Sequence, residues 1–258
     1  MRSLFLAAIC VMSSVAAAQD AATQGYPNKV VRIVTAEPGG GNELAARLLS
    51  QGLTTSLGQQ VIVESRGGGN GAIAMQTVAK APADGYTLLL FSSSLWVLPL
   101  MKDVPWDTFR DFAPIILAAS APNVLVVHPA LPVKSVRELV ALAKARPNEL
   151  NYGSGSAGST PHLAAELFRA MTGVQIVRVA YKGSGPALTA LLSGELHFMF
   201  PSTGSANPLL KSGKLRPLAV TTLKPTALAP NLPTVAESGL PGYESASLLA
   251  VFAPAGTP

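Results

Sequence analysis

The chain has 258 residues, which at about 150 residues per domain is one large domain or two modest ones. Charged residues make up 13% and hydrophobic ones 48%, a balance that excludes a disordered solvating chain and leaves no charge run for a nucleic-acid surface. The 19 basic and 14 acidic residues, net +5, suit an anionic ligand without identifying one, and 23 glycines with 21 prolines fit many short alternating elements rather than collagen or low complexity.

Arg2, the apolar run Leu4–Val15 and Ala16-Ala17-Ala18 follow the order of a secretory signal peptide, with cleavage expected after Ala18. The run is about twelve residues where a bilayer span needs about 20, so export rather than anchoring is expected. The single cysteine, Cys10, lies inside the run behind Ile9, where a lipid-attachment site wants a small residue. Removing residues 1–18 takes away Arg2 and Cys10, leaving 18 basic against 14 acidic residues and no thiol. Disulfides, iron–sulfur clusters and cysteine nucleophiles are thereby excluded for the expected mature chain.

From Lys29 onward short β-branched runs alternate with helical patterns, as in βαβ units feeding a mainly parallel sheet. Val30–Thr35 is the first predicted strand. Glycines 39–41 break it, and Asn42 is placed to cap a helix carrying Leu44, Leu48, Leu49 and Leu53 and ending near Gly58. Gln60–Glu64, the turn Gly67–Gly71, helix Ala72–Lys80 and strand Tyr86–Phe91 follow. Within Ala113–His128, the apolar strand Asn123–Val127 between Pro122 and Pro129 reads as the passage to a second lobe. Ser135-Val136-Arg137-Glu138 is a capping box before a helix. The strand, loop and helix plan then repeats three times. Leu150–Gly153 leads through Ser154–Thr160 into Pro161–Met171, with Pro161 at the first helical position. Gln175–Ala180 leads through Lys182–Gly185 into Pro186–Leu192, and Glu195–Phe200 through Pro201–Ser202 into Ala206–Lys211. A second passage is expected near Ser247–Phe252, and Thr257-Pro258 is a helix start with no helix after it, so further sequence is expected beyond it.

Parallel sheets place ligands beyond the carboxyl ends of their strands, so the loops are the candidate sites. Gly153-Ser154-Gly155-Ser156-Ala157-Gly158 satisfies G-x-G-x-x-G, with Arg178 placed to suit an NADP phosphate. An exported protein has no ready supply of that cofactor, and an ordinary polar loop is the bland alternative. The preferred reading is anion capture by the amides of Ser156–Thr160 at a helix start. Gly39-Gly40-Gly41-Asn42 has the same placement in the first lobe and lacks the G-K-[ST] ending of a nucleotide loop. Arg66 is a candidate carboxylate partner, with a solvated arginine the commoner outcome. His128, His162 and His197 are 34 and 35 residues apart without a metal-ligand pattern. No serine sits in G-x-S-x-G, so a hydrolase finds no support. His162 is expected to help cap its helix or line the cleft. Trp96 and Trp106 either wall the site or pack the core.

Eight ordered motifs carry a resemblance over residues 26–258: Y-P-N-K at 26–29, P-G-G-G-N-E-L-A-A-R-L-L at 38–49, D-G-Y-T-L-L-L at 84–90, P-N-V-L-V-V at 122–127, S-A-G-S-T-P-H-L at 156–163, Y-K-G-S-G-P-A at 181–187, P-T-V-A-E-S-G-L-P-G-Y at 233–243 and F-A-P-A-G-T-P at 252–258. The chain resembles the Bug (TctC-like) solute receptors of tripartite tricarboxylate transporters. The resemblance implies a periplasmic α/β protein of type II, a Venus flytrap with mainly parallel sheets. Lobe 1 would span 26–124 and 247–258, and lobe 2 would span 125–246. Such a protein closes on a small organic anion and delivers it to membrane permease subunits, acting as a monomer without catalytic residues, metal, cofactor or nucleic acid. Carried over by position, ligand contacts would come from Pro38, Gly39, Gly40, Gly41, Asn42, Ser92, Ser93, Ser156, Ser159, Thr160, Tyr181, Gly183 and Ser202.

The first loop departs from the family's usual pattern. It has Glu37-Pro38 and Asn42-Glu43 where two prolines and a threonine-aspartate are common, and it is one residue shorter. Pro201 stands where an aspartate is common, which disfavours an amino-acid ligand. Glu37 at the mouth would repel a di- or tricarboxylate by about 1 to 4 kcal/mol at close range. The alternatives are a periplasmic sensor input and, further off, an NADP-type oxidoreductase on Gly153–Gly158.

Overall fold

A computed structural model describes residues 25–36 and 38–258. The expected signal peptide and Glu37 lie outside the described residues. The chain builds two five-stranded sheets. Strands β1 (Val31–Thr35), β2 (Val61–Ser65), β3 (Thr87–Phe91), β4 (Phe112–Pro122) and β10 (Ala246–Pro254) form the first, in the order β2-β1-β3-β10-β4. Strands β5 (Val124–Val127), β6 (Asn151–Ser154), β7 (Val177–Ala180), β8 (Phe198–Met199) and β9 (Arg216–Val220) form the second, in the order β7-β6-β8-β5-β9. The centre of each sheet is parallel, with Ile33 in register with Val63 and Leu88, and Gly153 with Val179 and Met199. In both sheets the strand that arrives from the other lobe, β10 or β5, runs antiparallel to its neighbours.

Helices cover both faces of each sheet, and strand alternation decides which residues meet them. In lobe 1, α1 (Gly41–Leu57) packs through Ala46, Leu49 and Leu53 on Val31, Ile33 and Leu90. On the opposite face α2 (Ala72–Ala79) and α3 (Ser94–Met101) pack on Val34, Leu89 and Phe91. In lobe 2, α4 (Val136–Ala145) and α5 (Thr160–Thr172) bury Leu125, Tyr152 and Phe198, while α6 (Ser184–Ser193) and α7 (Thr203–Lys211) bury Val124, Val126 and Met199. No described helix is long and apolar enough to cross a membrane.

Several sequence expectations are corrected. Asn42 lies inside α1, whose N-cap is Gly40. Leu44 and Leu48 face solvent, because the sheet-facing stripe is formed by Ala45, Ala46, Leu49 and Leu53. Thr160, not Pro161, opens α5, with Ser159 as N-cap. The third strand of lobe 2 is only Phe198–Met199, and the helices after it and after β7 begin earlier than expected, at Thr203 and Ser184. Elements β4, α3 and β9 were not foreseen. The first half of the capping box forms, with Ser135 Oγ accepting from the Glu138 N–H at 3.2 Å, while Glu138 Oε2 reaches one residue past the N-cap and accepts from the Lys134 N–H at 2.7 Å.

The two chain crossings are fastened together. Asn123, between β4 and β5, donates its N–H to Thr221 Oγ1 at 2.9 Å and accepts from the Thr221 N–H at 3.0 Å. Thr221 donates its hydroxyl to the Ser245 carbonyl and accepts from the Ser245 N–H at 2.8 Å, just before β10. All of Thr221 is buried. A Thr221→Val substitution keeps the shape but strands a buried N–H and a carbonyl, so it should lower stability by about 2 kcal/mol. Urea melts of the two proteins measure the difference.

Candidate functional site

The loops that follow β1, β3, β6, β7 and β8 all open toward the space between the lobes, because parallel strands end there on the same side. They surround a cavity of about 60 Å³, several times the roughly 10–15 Å³ that one water needs. The lobes are closed on each other around it. Gly39, at φ +77°, would bring a Cβ to 3.0 Å from Gly185 Cα, so glycines let the loops of opposite lobes touch. Gly41 approaches Ser202 in the same way, and the Ala157 N–H donates to Asn70 Oδ1 at 3.2 Å. Thr160 and Ser247 pair their hydroxyls at 3.1 Å.

Four helices begin at this cavity without a side-chain cap: α1 after Gly40, α3 after Ser93, α5 after Ser159 and α6 after Gly183. An uncapped first turn presents backbone N–H groups, and the helix dipole adds to their pull on negative charge. Gly155 lies against Gly183, which holds the loops of α5 and α6 together. Arg178 secures the loop from behind, donating Nε to Ser154 Oγ at 2.7 Å and an Nη to the Gly155 carbonyl at 3.0 Å. Its guanidinium is thus engaged with the G-x-G-x-x-G segment itself.

Nine residues expected to touch ligand line the cavity: Gly40, Gly41, Asn42, Ser92, Ser156, Ser159, Thr160, Gly183 and Ser202. Pro38 and Gly39 sit at the exposed rim, where the Gly39 N–H is taken by Glu43 Oε2 at 2.7 Å. Ser93 turns its hydroxyl to the Gly158 carbonyl at 3.4 Å, and Tyr181 packs against the lobe 2 core. The structure adds Asn70, Ser94, Asn123, Ser184 and Ser247 to the wall. Asn70 lies in the glycine turn already read from the sequence, at φ 62°, a left-handed conformation that asparagine tolerates. Asn123 and Ser247 lie in the two passages, and only their packing reveals a wall position. Trp96 and Trp106 pack in the lobe 1 core, and Arg66 pairs with Glu64 at 2.7 Å.

Charged groups stay behind the wall: among the described residues the cavity lining carries no charged side chain. Glu43, at the start of α1, is held below the usual carboxylate range by the Gly39 N–H, and also by Arg47 at 2.6 Å. The Tyr152 hydroxyl donates to Glu166 at 2.6 Å, and burial pushes that phenol well up. His162 is buried, and its Nδ1 accepts from the Gly158 N–H at 3.1 Å. Burial first, and then the charge of Arg178, lowers its pKa. His197 and His128 likewise accept backbone N–H groups, from Asn151 at 2.9 Å and Ala130 at 3.2 Å. No group of three or more His, Cys, Asp or Glu that could hold a metal occurs among the described residues.

Two α/β lobes closed over a polar cleft define a solute-binding protein of the periplasmic type. A family model described as "Tripartite tricarboxylate transporter family receptor" matches residues 45–258, and the chain belongs to that family, one of receptors rather than enzymes. Protein BugT of Bordetella pertussis is 39% identical over 236 residues, covering 90% of this chain and 72% of BugT. A UPF0065 protein of Pseudomonas sp. is 36% identical over 260 residues, covering 100% of this chain and 77% of that one. Among solved structures, an R. palustris protein with adipate superposes with a TM-score of 0.86 at 42% identity, covering 90% of this chain and 79% of its own. MatC from Rhodopseudomonas palustris, with bound malate, gives 0.84 at 28% identity, covering 90% and 80%.

Protonating His162 costs the loop its Gly158 bond. Because its pKa is lowered on folding, its contribution to stability is complete above the ordinary histidine value, near pH 6.5, and is lost as pH falls from there toward the folded value. The melting temperature of the wild type should therefore fall more between pH 7 and pH 5 than that of a His162→Gln variant, as read by parallel thermal melts.

Proposed function

We propose that the chain is an extracytoplasmic receptor that captures a small organic acid between its lobes and delivers it to the permease subunits of a tripartite transporter. The observation that carries this is the convergence of four uncapped helix starts, two from each lobe, on a wall that among the described residues has no charged side chain. A carboxylate is acceptor-only and matches backbone N–H donors, whereas a cation would find no counter-charge among the described lining residues. Arg178 adds positive potential from behind the second-lobe loop. The relatives solved with adipate and malate support the same ligand class. In this reading Gly40, Gly41 and Asn42 contact the acid from one lobe, and Ser156, Ser159, Thr160, Gly183 and Ser202 from the other. The order of residues 2–18 supports export to the periplasm.

A thermal-shift screen of mono- and dicarboxylates, amides and amines on the chain tests this. A ligand at 100 times its Kd stabilises the fold by ~2.7 kcal/mol, enough to read as a clear rise in melting temperature. Carboxylates should raise it and amines should not; stabilisation by neutral or cationic compounds alone would overturn the proposal. Arg178→Met should weaken every bound carboxylate by roughly tenfold, ~1.4 kcal/mol, in calorimetric titration.

A further inference from the structure

The end of the cavity nearest the chain crossings has a different chemistry from its loop end. Asn123 is wholly buried there, and neither its Nδ2 nor its Oδ1 has a partner. Its backbone already carries the hinge, through both hydrogen bonds to Thr221. The side chain therefore has no part in the hinge fastening, although buried polar groups in folded proteins are nearly always paired. Ser247 and Thr160, also in the wall, share one hydrogen bond between their hydroxyls. Ser159, at the start of α5, is a second wall residue whose hydroxyl is buried and unpartnered.

We infer that Asn123 is a specificity-determining residue that reads a hydrogen-bond donor on the ligand, a hydroxyl or an N–H, while the loop amides hold its carboxylate. The inference rests on the carboxylate reading above and deepens it. A primary amide offers two donors on nitrogen and an acceptor on oxygen. A plain carboxylic acid in its ionised form only accepts, so it can satisfy Nδ2 but leaves Oδ1 buried without a donor. A hydroxylated or N–H-bearing acid satisfies both, through a group that gives its hydrogen to Oδ1 and accepts from Nδ2. Sites built around such a pair reject analogues lacking the hydroxyl or N–H far more strongly than apolar pockets reject a missing methylene. The favoured ligand class is thus a short hydroxy acid or an acid bearing an amide or ring N–H.

Calorimetric titration with matched pairs, malate against succinate and 2-hydroxyglutarate against glutarate, tests this on the wild type and on Asn123→Leu, which keeps the volume and removes the polarity. The wild type should bind one hydroxylated member at least tenfold more tightly than its partner, and N123L should reduce that ratio to within about twofold. Asn123→Ala gives the same readout if the leucine variant does not fold. A ratio near one in the wild type, an unchanged ratio in the variant, or an equal loss for both members, as when the amide only holds a water, would overturn the assignment. If no acid binds but neutral hydroxyl or amide compounds do, and N123L abolishes that binding, the carboxylate reading falls while the role of Asn123 stands.

Discussion

The structure depends on how its helix starts are terminated. A helix leaves its first N–H groups without intrahelical partners, and a side-chain cap that satisfies one of them stabilises the fold by about 1 kcal/mol. Helix α4, which packs behind the second sheet away from the cavity lining, has that cap in Ser135. Helices α1, α3, α5 and α6 do without it, and all four begin at the cleft. Ser159 makes the contrast sharper, because it is a residue type that caps well and yet leaves its hydroxyl unused. Helix α2, after Gly71, also lacks a side-chain cap although its first residues do not line the cavity, so missing caps gather at the cleft without being confined to it. Helix α7 is the intermediate case, its N-cap Ser202 bonding the Ser205 N–H while also lining the cavity.

The same economy governs the approach of the lobes. Gly39 meets Gly185 backbone to backbone, and Gly41 meets Ser202, so the loops of opposite lobes pack at distances that a Cβ would crowd. What holds the lobes in register is the pair of crossings tied through Thr221, which uses the main chain of Asn123 and Ser245. Backbone fastening leaves the Asn123 amide without a structural role and buried, at an expected cost of about 1–3 kcal/mol per unpaired group. Natural folds retain such costs mainly at functional sites, where local consistency yields to a task.

Much of this was legible because βαβ units announce themselves. The β-branched runs, the glycine loops after them and the capping box at Ser135 placed the strand order of events and the loops that meet at the cleft. Glycines 58, 173 and 194 end their helices in left-handed conformations, as such positions demand. Strand β4 was hidden because it does not alternate: Ile115, Ile116 and Leu117 are all more than half exposed, and Pro114 and Pro122 mark it as the edge strand it is. Helix α3 was hidden for the opposite reason, being apolar on every side with Pro99 within it. Leu44 and Leu48 misled because helical spacing shows that a stripe exists without showing which of two adjacent stripes faces the sheet. The wall residues Asn70, Asn123 and Ser247 depend on contacts between distant segments, such as the 87-residue separations of Asn70 from Ala157 and of Thr160 from Ser247. No local pattern encodes those.

A wall of neutral groups has consequences for how a receptor releases what it binds. A buried arginine or lysine in direct contact with an acid would be strongly attracted, but it would carry a large desolvation penalty when the cleft is shut. Amide and hydroxyl donors avoid that penalty, since each is a modest dipole rather than a fixed charge. The positive charge that is present, Arg178, is already bonded to Ser154 and Gly155 and acts through the loop it supports. In the proposed carboxylate reading, attraction for the acid would be divided among several weak donors on opposite lobes. On that reading separating the lobes would break the set apart, so affinity would be coupled to closure, and a partner that favours the separated arrangement would also favour release.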